Sequence, residues 1–230
     1  MKKFASFFAV FLFITLFAVA SEAGDRNIPV EVAQLTDSLK KQFAPDRRVA
    51  LLDVDYSFSD KNVMLRGVTT SAEAKNALLK ELARKGYAVM DCLELLPDVK
   101  GLEGKTCGII NVSVANMRVA PDFSSEMMTQ SLMGMPVRVL QRDGWVRIQT
   151  PDNYIAWVHR VGVHPVTEEE MAAWNKAEKI VVTAHYGFVY SEPNQTSQTV
   201  SDVVAGNRLK WEGSKGAFYK VTYPDGRRGY

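Results

Sequence analysis

The side chains best suited to covalent or metal chemistry are two thiols, Cys92 and Cys107, and three imidazoles, His159, His164 and His185. A catalytic thiol needs a helix N-terminus or a neighbouring imidazolium to lower its pKa. Cys92 falls in a strand-like run with no histidine within sixty residues, so it reads as structural. In an oxidising compartment the two cysteines could close one loop of about 15 residues, worth ~3 kcal/mol in the chain-entropy model; the alternative is two small buried thiols. A zinc site wants three or four ligands, and three scattered histidines do not supply them. Asp53 and Asp55 share one face of a strand and read as solvated. The sequence contains no glycine-rich phosphate loop and no serine elbow. These residues predict no catalytic group, no metal site and no cofactor.

Binding is the chemistry that remains. Arg118, Tyr154 and Trp157 are the candidate substrate-binding residues. A guanidinium can pair with a carboxylate while neighbouring rings exclude water, which suits a short acidic peptide. The competing reading puts Trp157 in a core and leaves Arg118 solvated. Trp145 reads as core, flanked by Val146 and Ile148, and Phe218, Tyr219 and Tyr230 give the C-terminal region its own aromatics.

The elements that must position these groups follow from periodicity. Val32, Leu35, Leu39 and Phe43 recur at helical spacing between Pro29 and Pro45. Alternation from Ala50 to Phe58 predicts a strand, Ser59-Asp60-Lys61 a turn, and Asn62 to Thr69 a second strand. Thr70 with Glu73 forms an expected capping box for a helix closed by Gly86, and Tyr87 to Leu95 is a third strand. From Gly108 onward, short apolar strands alternate with Gly, Pro, Asp and Asn, the pattern of small barrels. The pattern repeats. Met117 to Pro121 answers Val189 to Pro193, Gly134 answers Gly206, Pro151-Asp152 answers Pro224-Asp225, and Trp157 answers Tyr230, at an offset that drifts from 72 to 73. Between the copies, Thr167-Glu-Glu-Glu170 opens a short helix that carries Met171 and Trp174 on one face. That helix reads as a spacer whose Trp174 packs against a barrel.

The 230 residues are 47% hydrophobic and 23% charged, which excludes a disordered or multi-span membrane chain. Lys and Arg number 28 against 26 Asp and Glu, and the charges are scattered, so no nucleic acid partner is expected. Lys2 and Lys3 precede the uncharged run Phe4 to Val19, and small residues at 18, 20, 21 and 23 offer cleavage sites. This reads as a secretory signal peptide over 1–23, and hence an exported, periplasmic or cell-envelope protein that meets the membrane only through that peptide. An uncleaved anchor is the competing reading, since ~17 apolar residues can just span a bilayer.

The order helix, strand, strand, helix, strand, with the run from Asn62 to Lys75, resembles the BON-type domain of exported bacterial proteins. Asn116-Met117-Arg118, Gly134-x-Pro136-Val137, Asp143-Gly144-Trp145 and Tyr154-Ile-Ala-Trp157 resemble bacterial SH3-like domains, and the second copy replaces Asn-x-Arg with Phe188, Val189 and Tyr190. The expected fold class is therefore α+β: an αββαβ unit over 25–100, SH3-like barrels over 108–166 and 180–230, and a helical linker over 167–179. Copy two stops at the counterpart of Trp157, so the second barrel is expected to be incomplete. In this order the segments resemble the N-terminal half of a subfamily of NlpC-type cell-wall cysteine peptidases, whose nucleophile motif continues Asp-Cys with Ser-Gly where this chain has Leu93-Glu94. The resemblance implies peptidoglycan stem peptides as partners, a C-terminal catalytic domain missing here, and a role in restricting substrates. A stand-alone envelope SH3 protein that binds cell wall or a protein partner is the alternative.

Overall fold

The computed structural model describes residues 28–230, and the expected signal peptide lies outside them. Its contacts divide the chain into two compact units. Of the described residues, one unit holds 28–45 together with Leu51–Leu95; the other holds Asp46–Ala50 and Leu96–Tyr230.

The first unit runs α1 (Val30–Phe43), β1 (Leu52–Ser59), β2 (Asn62–Thr69), α2 (Ala72–Arg84) and β3 (Ala88–Leu95). β2 is central, antiparallel to β1 and parallel to β3. Strand alternation sends Leu52 and Tyr56 inward while Asp53 and Asp55 face out. These residues pack with Val63, Leu65 and Leu93 of the sheet and with Val32, Leu39, Leu78 and Leu82 of the helices. The α2 cap is Ser71 rather than the expected Thr70: the Ser71 hydroxyl accepts from Ala74 N at 3.0 Å. Thr70 is committed elsewhere, because its Oγ1 accepts from Leu51 N at 3.0 Å.

The second unit is mostly β. It contains β4 (Cys107–Ile110), β5 (Val114–Arg118), β6 (Met127–Leu132), β7 (Pro136–Asp143), β8 (Trp145–Gln149), β9 (Ile155–His159) and β10 (Val163–Val166). Helix α3 (Glu168–Lys176) follows, opened by the expected capping box of Thr167 and Glu170. Then come β11 (Lys179–Val181), β12 (Tyr186–Tyr190), β13 (Thr199–Val204), β14 (Arg208–Lys215), β15 (Phe218–Thr222) and β16 (Arg228–Gly229).

Neither copy is a closed barrel, in contrast to the sequence expectation. The first forms one open sheet in the order β10-β4-β7-β8-β9-β5-β6. The pairing of β4 with β7 runs on into the turn between β6 and β7, where Gly134 N donates to Ile110 O at 2.8 Å and Ile110 N donates to Met135 O at 3.0 Å. β10 and β6, the two ends of the order, share no ladder. The second copy is split into β11-β14-β15-β16 and β12-β13, bridged where Tyr190 and Tyr230 exchange backbone bonds at 2.8 Å. Arg118 and Trp157 pair at the equivalent place in the first copy.

The copies are locked together by their equivalent turns. Gly134 and Gly206 both have positive φ, 81° and 91°. A Cβ on Gly134 would stand 2.3 Å from Arg208 O, and one on Gly206 would stand 2.8 Å from the Leu132 side chain. Arg208 N donates to Met133 O at 2.9 Å, and Asn207 Nδ2 donates to Ser113 O at 2.8 Å. The Met133 side chain, from the first copy, is 1% exposed within the core of the second, beside Val189, Leu209, Val221 and Tyr223. Trp174 of α3 packs on Ile109 and donates its indole N–H to Gly134 O at 3.2 Å. It is a structural tryptophan, in keeping with the spacer reading.

Met133→Ala should therefore cost about 2–5 kcal/mol, the range for truncating a buried large apolar side chain. Denaturant unfolding should show both copies losing structure in one earlier transition. Loss confined to the second copy, whose core Met133 fills, would mean that the seam does not couple them.

Candidate functional site

In the first copy Val146 and Ile148 of β8, with Ala156 and Val158 of β9, point into the core. Period-two alternation then forces Trp145, Arg147 and Gln149 to the opposite face. Directly across from them in the antiparallel register stand His159, Trp157 and Ile155. Trp145 is thus not core, as its flanking apolar residues had suggested. The alternation that buries Val146 and Ile148 is what turns it outward, and it is half-buried.

Three rings gather at one end of this face. Phe123, 67% exposed, lies 4.9 Å from Trp145 and 5.1 Å from His159, and Trp145 meets His159 edge-on at 5.3 Å between centroids. Phe123 stands at the tip of the loop between β5 and β6. Short polar bonds shape that loop: Ser124 N to Asp122 Oδ1 at 2.6 Å, Ala120 N to Ser125 Oγ at 2.9 Å, and Val119 N to Glu126 O at 3.0 Å. Bonds from Ser124 hold the Asp122 carboxyl below its ordinary pKa, with a smaller contribution from the charge on Arg118.

Of the three predicted residues, two come together. Arg118 and Trp157 are cross-strand partners. Trp157 is 8% exposed and carries the Arg147 guanidinium 4.6 Å above its ring. Arg118 and Arg147 stand opposite Trp157 on its two neighbouring strands, on the sheet face away from Val146, Ile148, Ala156 and Val158. Arg118 is not simply solvated either, since its Nη1 donates to Ser125 O and braces the loop that presents Phe123. Tyr154 stands apart, half-buried, with the Arg48 guanidinium 5.9 Å from its ring centroid. Arg48 belongs to the 46–50 segment, whose carbonyl at Arg48 accepts from Ile155 N at 2.6 Å. Sequence reasoning missed Phe123, Arg147 and His159. The period-two pattern of β8 and β9 could have found Arg147 and His159, whereas Phe123 depends on loop geometry.

The face can do one kind of chemistry: rings and guanidinium groups together bind a planar or carboxylate-bearing group. No cysteine belongs to β8, β9 or the loop between β5 and β6. Cys92 and Cys107 are both free. Burial, and then the Glu168 charge, push the Cys107 thiol up, away from the thiolate that covalent chemistry needs. A hollow of about 270 Å³ beside α3 is lined by His164, Glu170, Trp174, Lys210 and Tyr223 among others. Its charged groups are already engaged: Glu170 accepts from Thr167 N at 2.8 Å, and Lys210 pairs with Glu212 at 2.9 Å. Among the described residues no three His, Cys, Asp or Glu side chains gather as a metal site would require.

This architecture includes an SH3-like domain. Residues 117–161, which hold most of the face, match the family described as the bacterial dipeptidyl-peptidase Sh3 domain. Among solved structures, the chain is similar to an NlpC/P60 family protein from Bacillus cereus, at 20% identity and a TM-score of 0.44, covering 54% of this chain and 53% of that one. It is also similar to NlpC2 and NlpC1 from Trichomonas vaginalis, at 16% and 17% identity and a TM-score of 0.24 for each; both matches cover 54% of this chain, and they cover 44% and 42% of those chains. The chain spans about half the length of these structures or less. No curated protein matches it.

Asp46 offers a check on the segment that covers Tyr154. The Arg48 guanidinium binds its carboxylate in a fork, at 2.7 to 3.1 Å, and Arg48 N adds a bond at 2.9 Å. Together they lower its pKa from 3.8 to about 2. The contribution of this pair is whole above pH 3.8 and lost as pH falls through about 2. A carboxyl NMR titration should place Asp46 near 2, and Arg48→Ala should return it toward 3.8. A wild-type midpoint already at 3.8 would mean that the fork does not form in solution.

Proposed function

We propose that this chain is the non-catalytic, substrate-restricting N-terminal region of an exported peptidoglycan-peptide hydrolase of the NlpC type, a γ-D-glutamyl-diamino acid endopeptidase. In this reading the αββαβ unit is BON-like, the two strand repeats are tandem SH3-like domains, and the residues 1–23 direct export. The catalytic domain is not among these 230 residues.

One observation carries the proposal: the segment that matches an Sh3 domain described from bacterial dipeptidyl-peptidases is the segment that bears the ring-and-guanidinium face. A stem peptide containing γ-linked D-glutamate and a diamino acid presents carboxylates on a short backbone. Arg147 and Arg118 supply positive charge to receive them, and Trp145, Phe123 and His159 wall one end. A wall at one end limits the length of peptide that fits, which is how a binding face restricts a hydrolase to short substrates. The charge-assisted pairing supplies affinity, and the rings supply shape.

Calorimetry of the full chain with L-Ala-γ-D-Glu-diaminopimelate should show saturable binding. Arg147→Ala should weaken it about tenfold, as loss of a hydrogen bond to a charged group does, and Trp145→Ala should weaken it with little change in melting temperature. Mass spectrometry of the same mixture should show intact peptide. Absence of binding, or cleavage abolished by Cys92→Ala, would refute the proposal.

A further inference from the structure

The second copy carries a different aromatic surface. On β12, Tyr186, Phe188 and Tyr190 occur at alternate positions, so all three point to the face opposite Val189, which is buried. Tyr186 is 59% exposed and Phe188 46% exposed. Tyr186 meets Phe188 edge-on, at 5.1 Å between centroids and 78° between planes, and Phe188 meets Tyr190 at 6.4 Å and 55°. The fold does not demand rings here. At the repeat offset of 72 the same positions in the first copy are Val114, Asn116 and Arg118. The inward residues that hold the second core are Val189 and Val203, and they would pack equally well behind a polar row.

From this row we infer a binding site for an extended, neutral oligosaccharide on the outer face of β12 and β13. Five strand residues place the outer two rings about 13 Å apart along the chain direction, a strip one ring wide. Because the ring planes turn along the strip, it suits a twisted rather than a flat chain of pyranose rings, each offering its C–H face to the ring beneath it. The polar groups alternate in the way that a sugar needs. Tyr186 and Tyr190 carry hydroxyls on either side of Phe188, and the register sets Asp202 across from Phe188 and Thr199 across from Tyr190. Asp202 is fixed in place by the Ser113 hydroxyl at 2.6 Å, leaving further lone pairs for ligand hydroxyls.

Charge selects against other occupants. Neither strand contains Lys or Arg, and the connecting loop adds Glu192, so an acidic peptide finds no cation on these strands. The strip is bounded by the exposed polar residues Thr183 and His185 before it and Ser191 and Glu192 after it. It is narrow for a stable protein interface, which needs about 800 Å² on each side. The inference goes beyond the proposed peptide reading and does not depend on it, because it rests on the second copy alone.

Calorimetry of the full chain with the β-1,4-linked hexamer of N-acetylglucosamine as probe should show saturable binding. Phe188→Ala and Tyr186→Ala should each weaken it about threefold to tenfold, the scale of one aromatic contact. Phe188→Trp should preserve affinity, and Arg147→Ala, on the first copy, should leave it unchanged. Melting temperatures close to wild type would confirm that the exposed variants are folded, and Phe188→Trp keeps the test valid if one alanine variant is not. The inference is overturned if the wild-type chain does not bind the hexamer, if both alanine variants bind as well as wild type, or if Arg147→Ala abolishes binding. It is equally overturned if the chain ignores the hexamer yet self-associates in sedimentation in a way that Phe188→Ala removes, since the row would then be a face between two copies.

Discussion

The packing of Val146, Ile148, Ala156 and Val158 into one small core governs the first copy. Two adjacent antiparallel strands cannot bury that row without presenting the other, and the other row is Trp145, Arg147, His159 and Trp157. A one-residue slip of β8 would exchange the two faces, burying a guanidinium and exposing the core. The outer surface of β8 and β9 is thus held in register by the same apolar contacts that keep the domain folded. Arg118 extends this logic to the next strand. It pairs with Trp157 through the sheet and reaches the loop carbonyl of Ser125, so one side chain joins the sheet to the loop that presents Phe123.

The second copy shows what the repeat preserves and what it releases. The inward positions stay apolar and the turn glycines stay glycine, because Gly134 and Gly206 sit at the seam where no Cβ fits. Outward positions are free of that constraint and have diverged: rings lie at the β8–β9 end in copy one and along β12 in copy two. Met133 crosses from the first copy into the core of the second, so the two are one packed body with two differently equipped faces.

Much of the architecture was legible in the sequence because it rests on local rules. Helical spacing located α1 between Pro29 and Pro45, alternation located β1 and β2, and the Thr167–Glu170 box opens α3 as expected. What was not legible depends on tertiary competition. Thr70 has the right spacing for a cap, but Leu51 N claims its hydroxyl and the cap falls to Ser71. Barrel closure is a matter of which edges meet in space, and here the edge strands β10 and β6 share no ladder. At the site, the order of residue types suggested that Trp145 was core. Its apolar neighbours along the chain in fact lie on the opposite face. Arg118 and Trp157 were found by motif, and their direct pairing across the sheet could only come from three dimensions.

The central claim is that the outer face of β8 and β9 receives a short acidic peptide. Intermolecular NOEs in a complex with L-Ala-γ-D-Glu-diaminopimelate test it most directly. The account predicts contacts from the alanine methyl or the glutamate methylenes to the rings of Trp145, Phe123 or His159, with the Arg147 side-chain resonances shifting in step. Contacts confined to Tyr186, Phe188 and Tyr190, or none at either surface, would contradict it.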